Sequence, residues 1–345
     1  MKSAPLGWPL RGMPLASAFS GAEETLLRAA WVFPIDRPAL RDGGVVFHHG
    51  KISDVGDGDR LARAHPAAMV HELGEVVLLP GLVNPHTHLE LSGRTPGERP
   101  ASFVDWIINL TRRPVDVTEA VQIGVAQSIR FGVTTIGDIS RRCSVTRPLL
   151  TDGPLRIVSF GEVMAMAQRR GLLEEQFAAA TDTSFESDHL RVGVTPHAPY
   201  SIEADGYRRC LEFAIQTGRP IATHLAETPD EAPFLADHIG PFRQIWSLLN
   251  AWDDQVPRFA GGPARFAKSL GLLDYPTLLA HVNYCEDDEM DLLSGGRASV
   301  VYCPRTHAYF GHPPHRWREM LARGINVAVG TDSCASSPDL NLLDD

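Results

Sequence analysis

Lysine is almost absent from this chain. Lys2, Lys51 and Lys268 are the only lysines among 345 residues, and the remaining basic residues are scattered arginines. The formal net charge is -10. Proteins that bind nucleic acid or an anionic membrane present a basic patch. The composition therefore argues against both as main partners.

Cysteine pairs and long apolar runs are also missing. The five cysteines are odd in number and contain no C-x-x-C pair, which argues against a disulfide framework. No apolar run reaches the length of a membrane-spanning helix, and the first residues lack the continuous apolar core of a signal peptide. We therefore expect a cytoplasmic protein with reduced cysteines and a loose N-terminal extension over residues 1–23.

Residues 24–79 have the pattern of a small β-sheet domain. Apolar segments at 26–32, 44–48, 51–55 and 76–79 are separated by turn signals, including Asp42-Gly43-Gly44 and His49-Gly50-Lys51. These segments predict strands whose connections are too short for βα units.

The sequence Asn84-Pro85-His86-Thr87-His88 closes the next apolar run. Alternate residues of a strand share a face, so His86 and His88 point the same way at the carboxyl end of a buried strand. Neutral imidazole is the commonest nitrogen ligand for zinc and similar ions. The pair predicts the start of a metal site, although two histidines can also be solvated or bonded to backbone carbonyls.

Three later apolar runs end in the same way. They lead to His224, to His281 and, after Gly330-Thr331, to Asp332. In (β/α)₈ barrel enzymes the catalytic residues lie at the carboxyl ends of several strands. We therefore expect an α/β protein in which residues 80–345 form such a barrel.

Strands and helices alternate along residues 80–345, which favours a parallel α/β sheet. After the His86 strand, strands are predicted at 132–138, 155–160, 190–194, 221–224, 278–281, 299–303 and 327–332. Helices are predicted at 103–110, 118–131 and 202–216, the last with Ser201 as its N-cap.

An insertion at 228–275, with helical stretches near 230–238 and 242–251, is long enough to be a lid or substrate loop. Residues 341–345 resemble the first turn of a helix. We expect the barrel to be truncated after strand eight.

Five motifs in order resemble the amidohydrolase superfamily, in its branch of aromatic-ring deaminases and chlorohydrolases. The resemblance covers residues 24–345. The first motif is Pro80-Gly81-Leu82-Val83-Asn84-Pro85-His86-Thr87-His88. The others are Pro196-His197-Ala198-Pro199-Tyr200, His224-Leu225-Ala226-Glu227, His281 and Gly330-Thr331-Asp332-Ser333. The resemblance implies a distorted TIM barrel and a small β-sandwich domain, of which residues 24–79 are one portion, with the C-terminal part missing.

The same resemblance implies one divalent metal ion, held by His86, His88, His224 and Asp332. Zinc is the first expectation, with iron or manganese as alternatives. Dinuclear relatives usually bridge their ions through a carboxylated lysine or a carboxylate at the end of strand four. No lysine lies between Lys51 and Lys268, and strand four ends in His197, so one ion is favoured.

Three residues are candidates for catalysis. A bound divalent cation lowers the pKa of water from 15.7 to about 7 and so supplies a nucleophile at neutral pH. Glu227, three residues after His224, is predicted as general acid and base, although it could merely cap a turn. His281 is a ligand, a core histidine or the group that holds the attacking water, and the resemblance favours the last. Asp332 is expected to bind metal and to move a proton.

Candidate substrate contacts are residues near these strand ends that bear donors, acceptors or aromatic rings. They are His197, Glu90, Trp106, Arg305 and His307. Glu90 has the same phase as His88 and is expected to bond a ring amine. Arg305 and His307, in the segment after strand seven, can equally be solvated loop residues.

The function that the resemblance implies is metal-dependent deamination of an amino-substituted aromatic heterocycle of purine, nucleoside or pterin type, with aminodeoxyfutalosine among the candidates and with release of ammonia. Hydrolysis of a cyclic amide or a chloro-heterocycle is the alternative, and a non-catalytic scaffold is disfavoured because every ligand residue is present. The small zinc deaminases that edit nucleic acids are excluded because their P-C-x-x-C signature is missing. The expected partner is a small molecule, and a homo-oligomer is left open.

Overall fold

The computed structural model describes residues 24–345 and divides the chain after Gly81 into two compact units. The predicted N-terminal extension, residues 1–23, lies outside the described residues. No helix between residues 24 and 345 combines the length and the apolar character needed to cross a lipid bilayer.

Over its described residues, 24–81, the first unit contains a five-stranded sheet and one helix. Its elements are β1 (Thr25–Val32), β2 (Leu40–His48), β3 (Lys51–Asp57), α1 (Gly58–Ala64), β4 (Met69–Glu72) and β5 (Val77–Leu78). The path is β3-β2-β1-β4, with β5 also paired to β1. Leu26, Val46 and Leu61 form its buried core. The four predicted strands are present, whereas α1, which starts after the N-cap Asp57, and β4 were not predicted.

The second unit is a parallel barrel. Its strands are β6 (Leu82–Thr87), β7 (Val133–Ser140), β8 (Arg156–Val163), β9 (Leu190–Pro196), β10 (Ile221–Leu225), β11 (Thr277–His281), β12 (Ser299–Tyr302) and β13 (Val327–Val329). They pair in sequence order. A parallel bridge between Thr87 and Asp332 joins the last strand segment to the first, and the Asp332 N–H donates to the His86 carbonyl at 3.1 Å. The predicted (β/α)₈ barrel is confirmed.

Helices follow the strands. They are α2 (Phe103–Arg112), α3 (Val117–Arg130), α4 (Cys143–Leu150), α5 (Leu173–Thr181), α6 (Ala204–Thr217), α7 (Glu231–Asp237), α8 (Pro241–Leu248), α9 (Pro263–Ser269), α10 (Asp287–Ser294), α11 (Pro304–Phe310) and α12 (Trp317–Ala322). The insertion thus contains α7 to α9. Aromatic side chains pack the insertion against α2 and against the loop that follows β9. Phe242 of α8 stacks on Tyr200 of that loop at 3.9 Å and lies 6.1 Å from Phe103 of α2, both measured between ring centroids.

Two local predictions are corrected. Helix α6 begins at Ala204 with Glu203 as N-cap, because the Ser201 hydroxyl is engaged with His197 Nδ1 and with the backbone of Ala198. Residues 341–345 form a turn and not a helix.

The barrel interior determines which strand residues face the site. Phe160 packs against Ile139 and Ala222 in an interior cluster. The next residue, Gly161, points to the outer helices, since a Cβ there would lie 2.3 Å from the Ala180 carbonyl oxygen. Side chains two residues beyond an interior residue face inward again.

Candidate active site

His86, His88 and Asp332 converge where the barrel closes. Asp332 Oδ1 lies 3.6 Å from His86 Nε2 and 3.4 Å from His88 Nε2. Asp332 is 4% exposed and His86 2% exposed. The His86 Nε2 atom is buried and has no hydrogen-bond partner among the described residues. Two imidazoles and a carboxylate in this arrangement are suited to a cation.

His224 completes this group from β10. Its Nε2 lies 3.3 Å from His88 Nε2, and its Nδ1–H donates to the His197 carbonyl at 3.2 Å. Because that bond occupies the Nδ1 proton, the Nε2 lone pair is directed into the site, as in metal-binding histidines held by a backbone carbonyl. The position follows from strand alternation, since Ala222 lies in the interior cluster.

Electrostatics favours the same interpretation. Burial lowers the pKa of His88 to about 4 and holds the pKa of His224 well below its usual value. Burial opposes ionisation of Asp332, but the neighbouring imidazoles of His86, His281 and His88 lower its pKa below the usual range. At neutral pH the site therefore offers neutral imidazoles and an ionised carboxylate, which are the protonation states that metal ligands need.

Glu227 and His281 form a second pair beside this group. Glu227 Oε1 lies 3.6 Å from His281 Nε2, and ligand-type atoms of both residues lie within 4.8 Å of one another and of Asp332. Burial and the charge of Asp332 raise the pKa of Glu227 well above its usual value. Burial lowers the pKa of His281 to about 3. Burial thus disfavours the charged form of both groups in this pair.

Several strand ends of the site have a left-handed backbone. Ala226, His281, Val282 and Asp332 have φ of 50°, 76°, 50° and 54°. Non-glycine residues rarely adopt this conformation, and it persists where surrounding contacts enforce it. At His281 one such contact is visible: His315 Nε2–H donates to its carbonyl at 2.9 Å.

His197 and Glu90 lie on the side of strands one to four. His197 has its Nδ1 2.7 Å from Ser201 Oγ, and its ring centroid is 4.8 Å from that of His224. Burial lowers its pKa to about 3. Glu90 accepts a hydrogen bond from the Arg142 N–H at 3.3 Å. Burial and the charge of Glu162 raise the Glu90 pKa to about 7.

Glu162 was not identified from the sequence. It lies on β8 two residues after Phe160, and its Oε2 is 3.9 Å from His197 Nε2. Strand three was predicted to end at Phe160, three residues before β8 ends at Val163. The alternation that placed His224 would have identified Glu162 if the strand had been extended by one repeat.

The remaining three predicted contacts are engaged in packing. Arg305 makes four hydrogen bonds to the chain's last segment, including 2.7 Å to Asp339 Oδ1 and 2.9 Å to Asp345 Oδ2. The structure favours a structural role for Arg305 over the predicted substrate contact. Trp106 donates from Nε1 to the Ala335 carbonyl at 3.2 Å. His307 donates from Nε2 to the Pro313 carbonyl at 2.8 Å.

Comparison with known proteins agrees with the fold and with the family that the motifs indicated. The chain is 27% identical over 342 residues to a 5-methylthioadenosine/S-adenosylhomocysteine deaminase of Nitratidesulfovibrio vulgaris, covering 93% of this chain and 71% of the relative. It is 30% identical over 330 residues to an aminodeoxyfutalosine deaminase of Deinococcus radiodurans, covering 89% and 75%.

A similar solved structure is the Helicobacter pylori aminofutalosine deaminase in complex with methylthio-coformycin. It has a TM-score of 0.83 and 24% identity, with 93% of this chain and 79% of that chain covered. The model of the amidohydrolase family matches residues 77–345. The resemblance inferred from the motifs is confirmed, and the chain belongs to the amidohydrolase family.

Proposed function

We propose that this protein is a metal-dependent hydrolase that removes the exocyclic amine of an aromatic heterocycle, with a purine nucleoside as the first candidate substrate. The observation that carries the proposal is the Glu227–His281 pair, buried beside the group formed by His86, His88 and Asp332. The names of the two relatives support the substrate class, because both are deaminases and one acts on 5-methylthioadenosine.

In this proposal His86, His88, His224 and Asp332 hold one divalent ion. The residues fit such an ion, because the His86 Nε2 is buried and has no partner among residues 24–345, and histidine nitrogens with a carboxylate oxygen are zinc ligands. Zinc is our first choice, and iron or manganese would accept the same ligands. When bound, a divalent ion lowers the pKa of water and stabilises developing charge on oxygen.

The chain's own side chains then move the protons. The attacking water loses a proton to the Asp332 carboxylate while its oxygen bonds to the ring carbon that bears the amine. Glu227, whose pKa is raised by burial, gives a proton to the adjacent ring nitrogen. His281 donates or accepts a hydrogen bond at the attacking oxygen. Asp332 then passes its proton to the amine as the C–N bond breaks, and Glu227 takes up the remaining proton of the attacking oxygen as the ring carbonyl forms. Water and the amine thus become a ring carbonyl and ammonia, and both carboxyl groups return to their starting states.

The test is an ammonia-release screen with purified metal-loaded protein over adenosine, 5′-methylthioadenosine, guanine, pterin and aminodeoxyfutalosine. Chloride release from chloro-s-triazines and ring opening of cyclic amides are measured in parallel, since the same side chains would serve these reactions. Ammonia release that Glu227→Gln abolishes would support the proposal. Chloride release without ammonia release, or activity with none of these compounds, would overturn it.

A further inference from the structure

Glu162 faces the interior of the barrel at the carboxyl end of its third strand. It follows Phe160 by two residues on β8, and Phe160 lies in the interior cluster with Ile139 and Ala222. Gly161, between them, points outward toward Ala180. The Glu162 side chain is therefore directed into the same opening as His224.

The Glu162 side chain is largely buried, and no described residue donates a hydrogen bond to its carboxylate within 3.5 Å. Its side chain is 7% exposed, and its nearest basic neighbours, His197 Nε2 and Arg141 Nε, are each 3.9 Å away. The carboxylate oxygens are not among the fully enclosed unpaired atoms of the described residues, so a ligand in the opening can reach them. Polar groups at this depth are normally paired with donors. A ligand with hydroxyl or amine groups would donate the hydrogen bonds that the described residues do not provide to this carboxylate.

The surroundings indicate which part of a substrate comes here. The proposed proton-transfer groups Glu227, His281 and Asp332 follow strands five, six and eight. Glu90, Glu162 and His197 follow strands one, three and four, which form the other half of the barrel. Glu90 is close enough for the Glu162 charge to influence it. This half thus presents two neighbouring acceptors beside the group that contains His224.

We propose that Glu162, with Glu90 as a second acceptor, binds the vicinal hydroxyl groups of a ribose and so selects ribonucleosides. The inference rests on the proposed function, because it assigns the sugar of a purine nucleoside to this half of the site. An ionised carboxylate only accepts hydrogen bonds and can take two, and a vicinal diol offers two donors at matching separation. A free base lacks these donors and leaves Glu162 unsatisfied.

The experiment compares 5′-methylthioadenosine with its 2′,3′-dideoxy analogue on the metal-loaded full chain. Wild type should prefer the ribonucleoside, and Glu162→Ala should lose kcat/KM on it by about 10- to 100-fold, as expected for hydrogen bonds to a charged group. On the dideoxy analogue the loss should stay within about threefold, so the preference collapses. Glu162→Gln, which keeps the shape and one acceptor, should fall between.

Glu186→Gln is the matched control. Glu186 precedes β9 at the other end of the barrel, where it pairs with Arg219 and accepts from the Val192 N–H, so its loss should lower both substrates equally. Metal content and melting temperature are measured for each variant. A wild type without ribose preference, or equal losses on both substrates in Glu162→Ala and Glu162→Gln, would overturn the inference and leave the proposed function intact. No ammonia from either nucleoside would overturn the inference, and the proposed function would fall with it only if the other heterocycles of the screen also release no ammonia.

Discussion

The carboxylate of Glu231 fixes the backbone at Glu227 by accepting hydrogen bonds from two successive N–H groups. Glu231 Oε2 accepts from the Ala226 N–H at 2.8 Å, and Oε1 accepts from the Glu227 N–H at 2.6 Å. Glu231 is fully buried, so these bonds do not compete with water. Together they stabilise the left-handed Ala226 and fix the direction in which the Glu227 side chain leaves the strand end. The side chain that caps this turn is therefore Glu231, which leaves Glu227 free to face the site.

Glu231→Gln should lower kcat by about tenfold or more with little change in KM, because an amide NH₂ would face a backbone N–H and release the turn. Metal content should be unchanged. The readouts are steady-state kinetics and metal analysis. Glu289→Gln is the control, since Glu289 is also a buried carboxylate that accepts a backbone N–H, from Glu286 at 3.0 Å. It should lower stability but not kcat. Equal kinetic effects of both variants would contradict a positioning role for Glu231.

Glu227→Gln should keep its metal and lose turnover by about 10²- to 10⁴-fold, the usual contribution of a general acid and base. The amide preserves shape but cannot shuttle protons. Turnover of the best substrate from the ammonia screen, measured together with metal content, tests this. Activity within about threefold of wild type would remove Glu227 from the catalytic role.

The parts of this site that the sequence predicted are those that depend on local periodicity. His86, His88 and His224 lie at predicted strand ends, and period-two alternation is sufficient to direct them inward. Glu162 was missed because a buried strand's end is poorly marked when glycine and valine surround the charged residue. The role of Glu231 depends on three-dimensional hydrogen bonds to a backbone that bends away from the strand. Ser201 was assigned as a helix cap because the sequence does not reveal its competing partner, His197.

The left-handed backbone at Asp332 is a further feature that no local pattern indicated. Strand eight was predicted through residue 332, but β13 ends at Val329. Asp332 then bonds through its N–H to the His86 carbonyl, while its own carbonyl accepts from Thr87 Oγ1 at 2.9 Å. Contacts with the first strand thus enforce a conformation that an aspartate in isolation seldom adopts.

Purified protein should carry about one divalent ion per chain, because the His86, His88, His224 and Asp332 side chains offer one donor set. Elemental analysis of wild type and of the His86→Ala/His88→Ala double variant checks this. The double variant should contain no stoichiometric metal, and added metal should no longer raise its melting temperature, since ligand binding stabilises only a folded state that binds it. Two ions per wild-type chain, or metal retained by the double variant, would contradict the single site.

His281→Asn should reduce activity without releasing the metal. The asparagine amide retains a hydrogen-bonding group near Glu227 but not the imidazole. Because His281 also lies within 4.8 Å of His86 and His224 in ligand-type atoms, a ligand role is the alternative. Metal analysis of the variant separates the two interpretations: loss of the ion would make His281 a ligand.

Asp138 should make stability fall as pH rises. It is fully buried; Oδ1 accepts from the Leu89 N–H at 2.9 Å, and Oδ2 has no partner among the described residues. Burial raises its pKa from 3.8 to about 7. The folded state therefore holds this proton more tightly than the unfolded state, so the stability it contributes is present below about pH 4 and is lost as pH rises through about 7.

The Asp138→Asn variant keeps an oxygen that accepts the Leu89 N–H, but its side chain cannot ionise. Its stability should therefore not fall over this pH range for the reason given for Asp138. Between pH 5 and pH 8 the free energy of unfolding of wild type should fall relative to that of the variant by about 2.7 kcal/mol, because the loss runs over the two units from pH 5 to the folded pKa of about 7 at 1.36 kcal/mol per unit. Denaturant unfolding of both proteins at the two pH values, with metal removed from both, gives the difference. Glu90 and Arg147 influence the Asp138 pKa and are present in both proteins, so their own titration cancels to first order. Parallel pH profiles for wild type and variant would show that Asp138 is already ionised when folded, and the burial argument would fail.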